Sequence, residues 1–248
     1  MNIKHKMKQI GGLVIVMAAL MSFTSCLNAL NKTNAGDIEK LLQEKYGAEF
    51  QVISIGNRLA SPGMDTVTAY CRLKSDSRVV FEAQMNVSNQ LVTDNFVKRV
   101  VEVQAEKKLE EYFSREGIQA AVYATVFPVP EDVDYRNADY YQILKDTPEV
   151  SFTFKTVVSE SKNDNKLYNA ITNALTNYYQ LNNSIKCGTT AWNISADQYD
   201  ECVEKMRKGS YPPKTFFEKY SPIGTATVAI VDGKVNLESS DFRQMFYK

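Results

Sequence analysis

The stretch TVTAYCRL, residues 66 to 73, alternates apolar and polar side chains along its whole length. Its apolar members are Val67, Ala69, Cys71 and Leu73. This period of two is typical of a β-strand with one face buried and the other in water. The stretch RVVFEAQMNV, residues 78 to 87, repeats the alternation after a short Ser75-Asp76-Ser77 turn. We therefore predict two antiparallel strands that share an apolar face.

A helix and one more strand precede this pair. Four apolar residues lie on one helical face between Gly36 and Tyr46, and Gly47 follows as a C-terminal cap. They are Ile38, Leu41, Leu42 and Tyr46. A strand is predicted over Glu49–Arg58, and the turn Ser61-Pro62-Gly63 connects it to the next. Residues 36–94 thus form an αβββ module. This order of elements resembles the cystatin-like and PepSY-like modules of bacterial envelope proteins, and the resemblance implies a helix packed on an antiparallel sheet.

A long amphipathic helix from Asn95 to Glu116 is predicted to link this module to a C-terminal α+β domain, residues 117–248. The strands predicted in that domain are Ile118–Phe127, Val150–Ser159, Ile185–Ile194 and a hairpin around Asp232-Gly233, a pair that favours a type I′ turn. The predicted helices cover residues 138–145, 165–181 and 196–207. Because the strands alternate in polarity, we expect antiparallel pairing in preference to parallel βαβ units. The predicted fold class is α+β, with helices packed on mostly antiparallel sheets.

The N-terminus has the features of an export signal. Lysines precede a short apolar run from Ile10 to Met21, and small residues then lead to Cys26. The run is shorter than the about twenty apolar residues that cross a bilayer. The segment is similar to the signal peptides of bacterial lipoproteins, although Phe23 stands where leucine is commonest. The resemblance implies a signal peptide over residues 1–25 and a lipid anchor on Cys26. The short polar stretch that follows has no periodicity and predicts a tether within residues 26–35, whose eight residues from Leu27 span no more than about 28 Å.

The charge balance and the single histidine exclude several classes of function. Removing Lys4, Lys6 and Lys8 from the 29 basic residues leaves 26 against 29 acidic residues, so the mature chain is mildly acidic. This argues against a nucleic-acid partner and against a polybasic membrane patch. His5 lies in the segment expected to be removed. Its loss disfavours histidine-dependent catalysis and histidine-ligated zinc, and we expect no metal and no other cofactor.

Three cysteines remain besides Cys26. Cys71 lies on the apolar face of its strand, which favours a buried and inert thiol. Cys187 lies on a predicted strand and Cys202 on the helix that follows it, so the two could form a disulfide in an exported protein. Two separate buried thiols fit the sequence equally well, because geometry decides the matter.

The chain is rich in tyrosine, with 14 tyrosines and one tryptophan. Tyr135, Tyr140 and Tyr141 lie around a loop and a short helix, where amphipathic rings could form a binding surface or the half-buried face of a helix. Tyr178 and Tyr179, at helical spacing from apolar residues, are predicted to lie in the core.

These observations predict a membrane-anchored, extracytoplasmic module that binds a partner without catalysis, at the cell membrane or the outer membrane. The expected partners are the membrane itself, through the anchor, and an envelope protein, a peptide or a glycan. One alternative is an envelope hydrolase that uses carboxylates, for which the acidic loop Glu131, Asp132 and Asp134 offers candidates. Another is a structural factor of an envelope complex.

Overall fold

A computed structural model describes most of the chain from residue 34 onward. The described residues are 34–56, 66–86, 88–130, 133–160, 164–208 and 212–247. The predicted signal peptide, Cys26, the turn at residues 61–63 and the acidic pair Glu131 and Asp132 lie outside them. Within the described residues, no helix is both long and apolar enough to span a membrane. The predicted fold class is confirmed: the protein is α+β, with helices and mostly antiparallel sheets.

The chain divides into two compact units. The first contains the described residues up to Ser75 together with Glu82–Asp94, and the second contains Asp76–Phe81 and the chain from Asn95 onward. The first unit therefore ends where the predicted module ends. The helix predicted between the two domains falls within the second unit.

The described residues from 34 to 94 form a helix and a meander, of which Asp76–Phe81 are assigned to the second unit. Helix α1 covers residues 34–46, and the strands that follow are β1 (Phe50–Gly56), β2 (Thr66–Leu73), β3 (Asp76–Asn86) and β4 (Leu91–Asp94). The strand order is β1-β2-β3-β4. Strand β4 corrects the prediction of three strands. It has four half-buried or exposed residues, and so short a segment carries no alternating pattern in the sequence.

Polar contacts fasten α1 to the rest of the first unit. Ile38 and Leu42 of α1 are fully buried. The side chain of Glu39 accepts a hydrogen bond from the Val52 backbone N–H at 2.8 Å. At the end of the helix, the Tyr46 hydroxyl donates to Asp94 at 2.6 Å. The helix is thus tied to strands at both ends of the meander.

The second unit has a five-stranded sheet of order β5-β6-β7-β8-β9. Its elements are α2 (Phe96–Arg115), β5 (Ala120–Phe127), α3 (Tyr140–Asp146), β6 (Ser151–Ser159), α4 (Asp164–Leu181), β7 (Lys186–Ile194), α5 (Ala196–Lys208), α6 (Lys214–Glu218), β8 (Gly224–Val231), β9 (Lys234–Val235) and α7 (Ser239–Phe246). The turn between β8 and β9 has positive φ at both Asp232 and Gly233, as the predicted type I′ turn requires. Neither α6 nor α7 is predicted from the sequence.

One pair of strands corrects the expected topology. Strands β6 and β7 run parallel, from Ser151 opposite Lys186 to Ser159 opposite Ile194, with α4 as the crossover between them. The other strand pairs of this sheet are antiparallel. Antiparallel pairing was expected because parallel strands are usually apolar along their whole length, and this expectation is wrong for β6 and β7. One face of the sheet is only partly covered, so these parallel strands carry polar residues such as Thr153 and Thr190.

The sheet of the second unit has a large core on one face and a smaller one on the other. The large core includes Val122, Phe152 and Leu175, together with Phe242 and Phe246 of α7. On the opposite face, residues of α5 and α6 cover only part of the sheet. There Trp192 stacks on Phe217 with 4.1 Å between ring centroids, beside Tyr199 and Cys202.

Helix α2 covers the free edge of β5 with three glutamates spaced one turn apart. Glu102, Glu106 and Glu110 accept hydrogen bonds from the backbone N–H groups of Val126, Ala124 and Val122, at 3.2, 3.0 and 2.9 Å. Arg99, Arg78 and Arg207 pair with these carboxylates. An edge strand normally exposes such groups to other chains. Here side chains of the same unit occupy them.

Candidate functional site

The candidate site is a cavity of about 500 Å³ in the second unit. Helices α2, α3 and α4 contribute its walls. The lining residues are Lys108, Leu109, Glu111, Tyr112, Arg115, Tyr140, Tyr141, Ala174, Asn177, Tyr178, Gln180 and Leu181. Four of them are tyrosines. A cavity of this size, with apolar rings and a few polar groups, is typical of sites for small or terminal ligand groups.

The short helix α3 is held at its start by Gln104 of α2. The Gln104 side-chain amide donates to the Ala138 carbonyl at 2.8 Å, and its oxygen accepts from the Tyr140 N–H at 3.2 Å. The side chain of Asp139 caps the same end by accepting from the Tyr141 N–H at 2.9 Å. These bonds fix where Tyr140 and Tyr141 enter the cavity.

The end of α3 is fastened to the segment that follows α4. The Asn182 side chain donates to the carbonyl of Thr147 at 3.0 Å and to that of Leu144 at 3.5 Å. A helix of seven residues has little stability of its own. Attachment at both ends therefore makes α3 a rigid wall of the cavity.

The four tyrosines differ in exposure and in bonding. The hydroxyls of Tyr140 and Tyr178 are hydrogen-bonded to each other, and burial is the main cause that raises the pKa of each. Tyr178 also packs edge-on against Phe152 in the core, with 4.6 Å between centroids. Tyr112 bonds to Asn173, and burial raises its pKa as well. Tyr141 is 46% exposed. Tyr141 is therefore the ring most open to a ligand.

The charged residues of the cavity form a paired group. Glu111 lies 3.0 Å from Lys108 and 4.0 Å from Arg115, and all three side chains are half exposed or more. Within the described chain, Glu111 is the one acidic residue that lines this cavity. The rim therefore carries a small excess of positive charge.

The structure brings together two of the three tyrosines predicted as a binding surface. Tyr140 and Tyr141 line the cavity, whereas Tyr135 packs on Phe96 at 4.9 Å between centroids and lies outside the lining. Tyr178, predicted to be core, contacts both the core and the cavity. The sequence does not predict Tyr112 as a cavity residue. Its helical spacing places it on the apolar face of a helix, but its neighbours in the cavity depend on how three helices pack together.

The suggested disulfide between Cys187 and Cys202 is wrong. Both cysteines are free and buried, as is Cys71. The Cys187 thiol faces the large core and lies 3.5 Å from the Leu175 carbonyl. Cys202 belongs to the smaller core on the opposite face of the sheet. Strand β7 and helix α5 follow one another in the chain, but the sheet separates their thiols.

The carboxylates that lie close together serve structural roles. Glu102, Glu106 and Glu110 bind strand N–H groups and arginines. Asp134, from the acidic loop, pairs with Arg136 at 2.8 Å and shows a lowered pKa because of that partner. Among the described residues, no group of histidine, cysteine and acidic side chains has an arrangement that could hold a metal ion.

Comparisons with known proteins add a structural neighbour. No family model and no curated protein matches the sequence. The structure is similar to the crystal structure of a DUF5037 family protein from Ruminococcus gnavus ATCC 29149, with a TM-score of 0.64 and 17% sequence identity. The similarity covers 84% of this chain and 97% of the other. At that identity the likeness shows a shared fold and nothing about function.

Proposed function

We propose that this chain is an extracytoplasmic lipoprotein, anchored through Cys26, that binds a glycan of the cell envelope in the tyrosine-lined cavity and performs no catalysis. The observation that carries the proposal is the cavity itself: Tyr112, Tyr140, Tyr141 and Tyr178 converge from three helices around about 500 Å³. Its walls are held in place by Gln104 and by the residues that fasten α3.

The chemistry of the lining favours a sugar. A sugar ring has C–H groups on its faces and hydroxyls around its edge. The tyrosine rings offer flat apolar surfaces with a polar tip. The side-chain amides of Asn177 and Gln180 can each both donate to and accept from hydroxyls. Lys108 and Arg115 at the rim would favour a sugar that also bears an acidic group.

The absence of catalysis is proposed from the acidic side chains. Hydrolysis of a glycosidic bond by carboxylates needs two of them at a set distance across the substrate. In the described chain Glu111 alone lines the cavity, and two cations flank it. The described lining therefore lacks the second carboxylate that such hydrolysis needs.

The membrane anchor is proposed from the sequence around Cys26. Two or three acyl chains, at about 0.8 kcal/mol per buried methylene, would hold the chain on a membrane. Metabolic labelling with an alkyne fatty acid tests this step. The wild-type chain should incorporate the label and Cys26→Ser should not; equal labelling of both would refute the anchor.

Titration calorimetry with oligosaccharides released from the envelope of the producing cells tests the binding site. Tyr141→Ala and Asn177→Ala should each weaken binding about tenfold or more. Gln142→Ala is the matched control, because Gln142 lies on the same helix but outside the lining. The proposal fails if no oligosaccharide binds, or if the control loses as much affinity as Tyr141→Ala.

A further inference from the structure

The partly open face of the second unit's sheet ends in a row of residues that combines lysines with exposed apolar side chains. Cross-strand register places Phe127 opposite Ser151, Ser151 opposite Lys186, and Val231 opposite Lys234. Strands β7 and β8 are antiparallel and Gly188 lies opposite Ala229. Lys186, two residues before Gly188, is therefore a neighbour of Val231, two residues after Ala229. We call Phe127, Ser151, Lys186, Val231 and Lys234 the rim row.

The rim row is unusual for its exposed apolar groups. Phe127 is 67% exposed and Val231 55% exposed, and they stand on either side of Lys186. Lys186 and Lys234 are exposed as well. Apolar side chains next to lysines on a flat surface are typical of segments that rest in the interface of a membrane.

The charge of this face differs from that of the whole chain. Behind the rim row lie Thr125, Thr153, Gly188 and Ala229, and behind these Tyr123, Lys155, Thr190 and Thr227. None of these positions is acidic. The nearest acidic residue along the chain is Asp232, in the turn after Val231. The mildly acidic net charge of the chain argues against a basic membrane patch. Net charge is a sum over the whole surface, however, and these positions on the sheet carry lysines and no acidic residue.

The extent of the face argues against a second copy of the chain as its occupant. Five strands about 4.8 Å apart and three rows about 7 Å apart cover roughly 400 Å². A stable dimer buries about 800 Å² on each partner. A bilayer surface has no such requirement, because the anchor already keeps the protein beside it.

We propose that the rim row docks on an anionic bilayer, with Phe127 and Val231 entering the headgroup region and Lys186 and Lys234 binding lipid phosphates. The inference rests on the lipid anchor of the proposed function, which would hold the body within tens of ångströms of the membrane. Docking would fix the orientation of the second unit and hence the direction in which its tyrosine-lined cavity faces.

The test uses the lipidated protein reconstituted in vesicles of phosphatidylglycerol and phosphatidylcholine, or of phosphatidylcholine alone. A nitroxide is attached at Thr153→Cys, next to the rim row, or at Lys145→Cys on α3. The buried native thiols should not react under native conditions. Flotation first recovers the vesicle-bound protein, and a water-soluble nickel complex then measures how far each label is shielded.

The label at position 153 should be shielded from the nickel complex on the vesicles that contain phosphatidylglycerol and not on those of phosphatidylcholine alone. The label at position 145 should stay accessible on both kinds of vesicle. K186Q/K234Q should lower the ratio of docked to undocked protein about 25-fold, since each lysine near an anionic surface contributes about a fivefold factor. Equal accessibility on both lipids, or equal shielding of both labels, overturns the docking alone. Loss of flotation overturns the anchor and the docking together.

Discussion

The carboxylate of Glu106 joins a helix to the edge of a sheet. Its Oε1 accepts from the backbone N–H of Ala124 at 3.0 Å and from Nη1 of Arg99 at 2.7 Å, while Oε2 accepts from Arg78 at 3.0 Å. Glu106 is 1% exposed. Burial raises its pKa, against the opposing effect of the two arginines and of the Ala124 N–H. The same helix, α2, presents Tyr112 to the cavity, so this contact also sets the position of one wall.

Glu106→Gln should lower the free energy of unfolding by about 3 kcal/mol, because it leaves the buried Arg99 without its main neutralising charge. Glu201→Gln is the control, since Glu201 makes an exposed pair with Lys205 and should change stability by less than about 0.5 kcal/mol. Urea unfolding followed by circular dichroism measures both. Equal effects would show that the buried network does not hold α2 on β5.

Gly224 should not tolerate a side chain. A Cβ at this position would lie 2.4 Å from the carbonyl oxygen of Phe246, so Gly224→Ala must displace the end of α7. We expect a loss of about 1 to 3 kcal/mol in thermal or urea unfolding. Gly36→Ala is the control, because a Cβ there meets nothing within 4 Å. A variant at Gly224 as stable as the control would contradict the packing of α7.

The three buried thiols should be free and slow to react. Cys71, Cys187 and Cys202 should resist iodoacetamide at pH 8 in the native protein, since burial raises their pKa to about 12, 11 and 12. All three should be alkylated in denaturant without a reductant, as read by peptide mass spectrometry. If Cys187 and Cys202 were alkylated only after reduction, the two cysteines would form a disulfide, contrary to the structure.

Stability should fall in alkaline solution. Burial raises the pKa of Cys71 from 9.0 to about 12, so the unfolded chain releases this proton before the folded one does. The protonated Cys71 thiol contributes fully to the free energy of unfolding below about pH 9, and this contribution is lost as pH rises toward 12. At pH 11 the loss amounts to roughly 2 to 3 kcal/mol. Urea unfolding from pH 8 to 11 measures it. Cys71→Ala should show a shallower decline, and an unchanged slope would refute the assignment to this thiol.

Periodicity alone predicts most of the fold. The alternation in residues 66–73 and the helical spacing in residues 36–46 correspond to β2 and α1, because each element buries one regular face. Strand β4 and helix α6 are too short to carry such a pattern. The parallel pairing of β6 and β7 depends on which faces are covered, which tertiary contacts decide.

The candidate site was only half visible in the sequence. Tyr140 and Tyr141 stand out as a pair on a short helix, whereas Tyr112 and Asn177 come from helices far along the chain. These residues come together because Gln104 and Asn182 hold α3 in place by hydrogen bonds to backbone carbonyls. Nothing in the sequence distinguishes these two side-chain amides from ordinary surface residues. The resemblance of the first module to cystatin-like domains and the alternative of a structural factor both stay predictions.

The most direct test of glycan binding in the cavity is photo-crosslinking in intact cells from a benzoyl-phenylalanine placed at Tyr141. Lys214, exposed on α6 and outside the cavity, provides the matched position. Adducts with envelope glycan should form from position 141, should be absent from position 214 and should be reduced by Asn177→Ala. The same adducts from both positions, or none from position 141, would contradict glycan binding in the cavity.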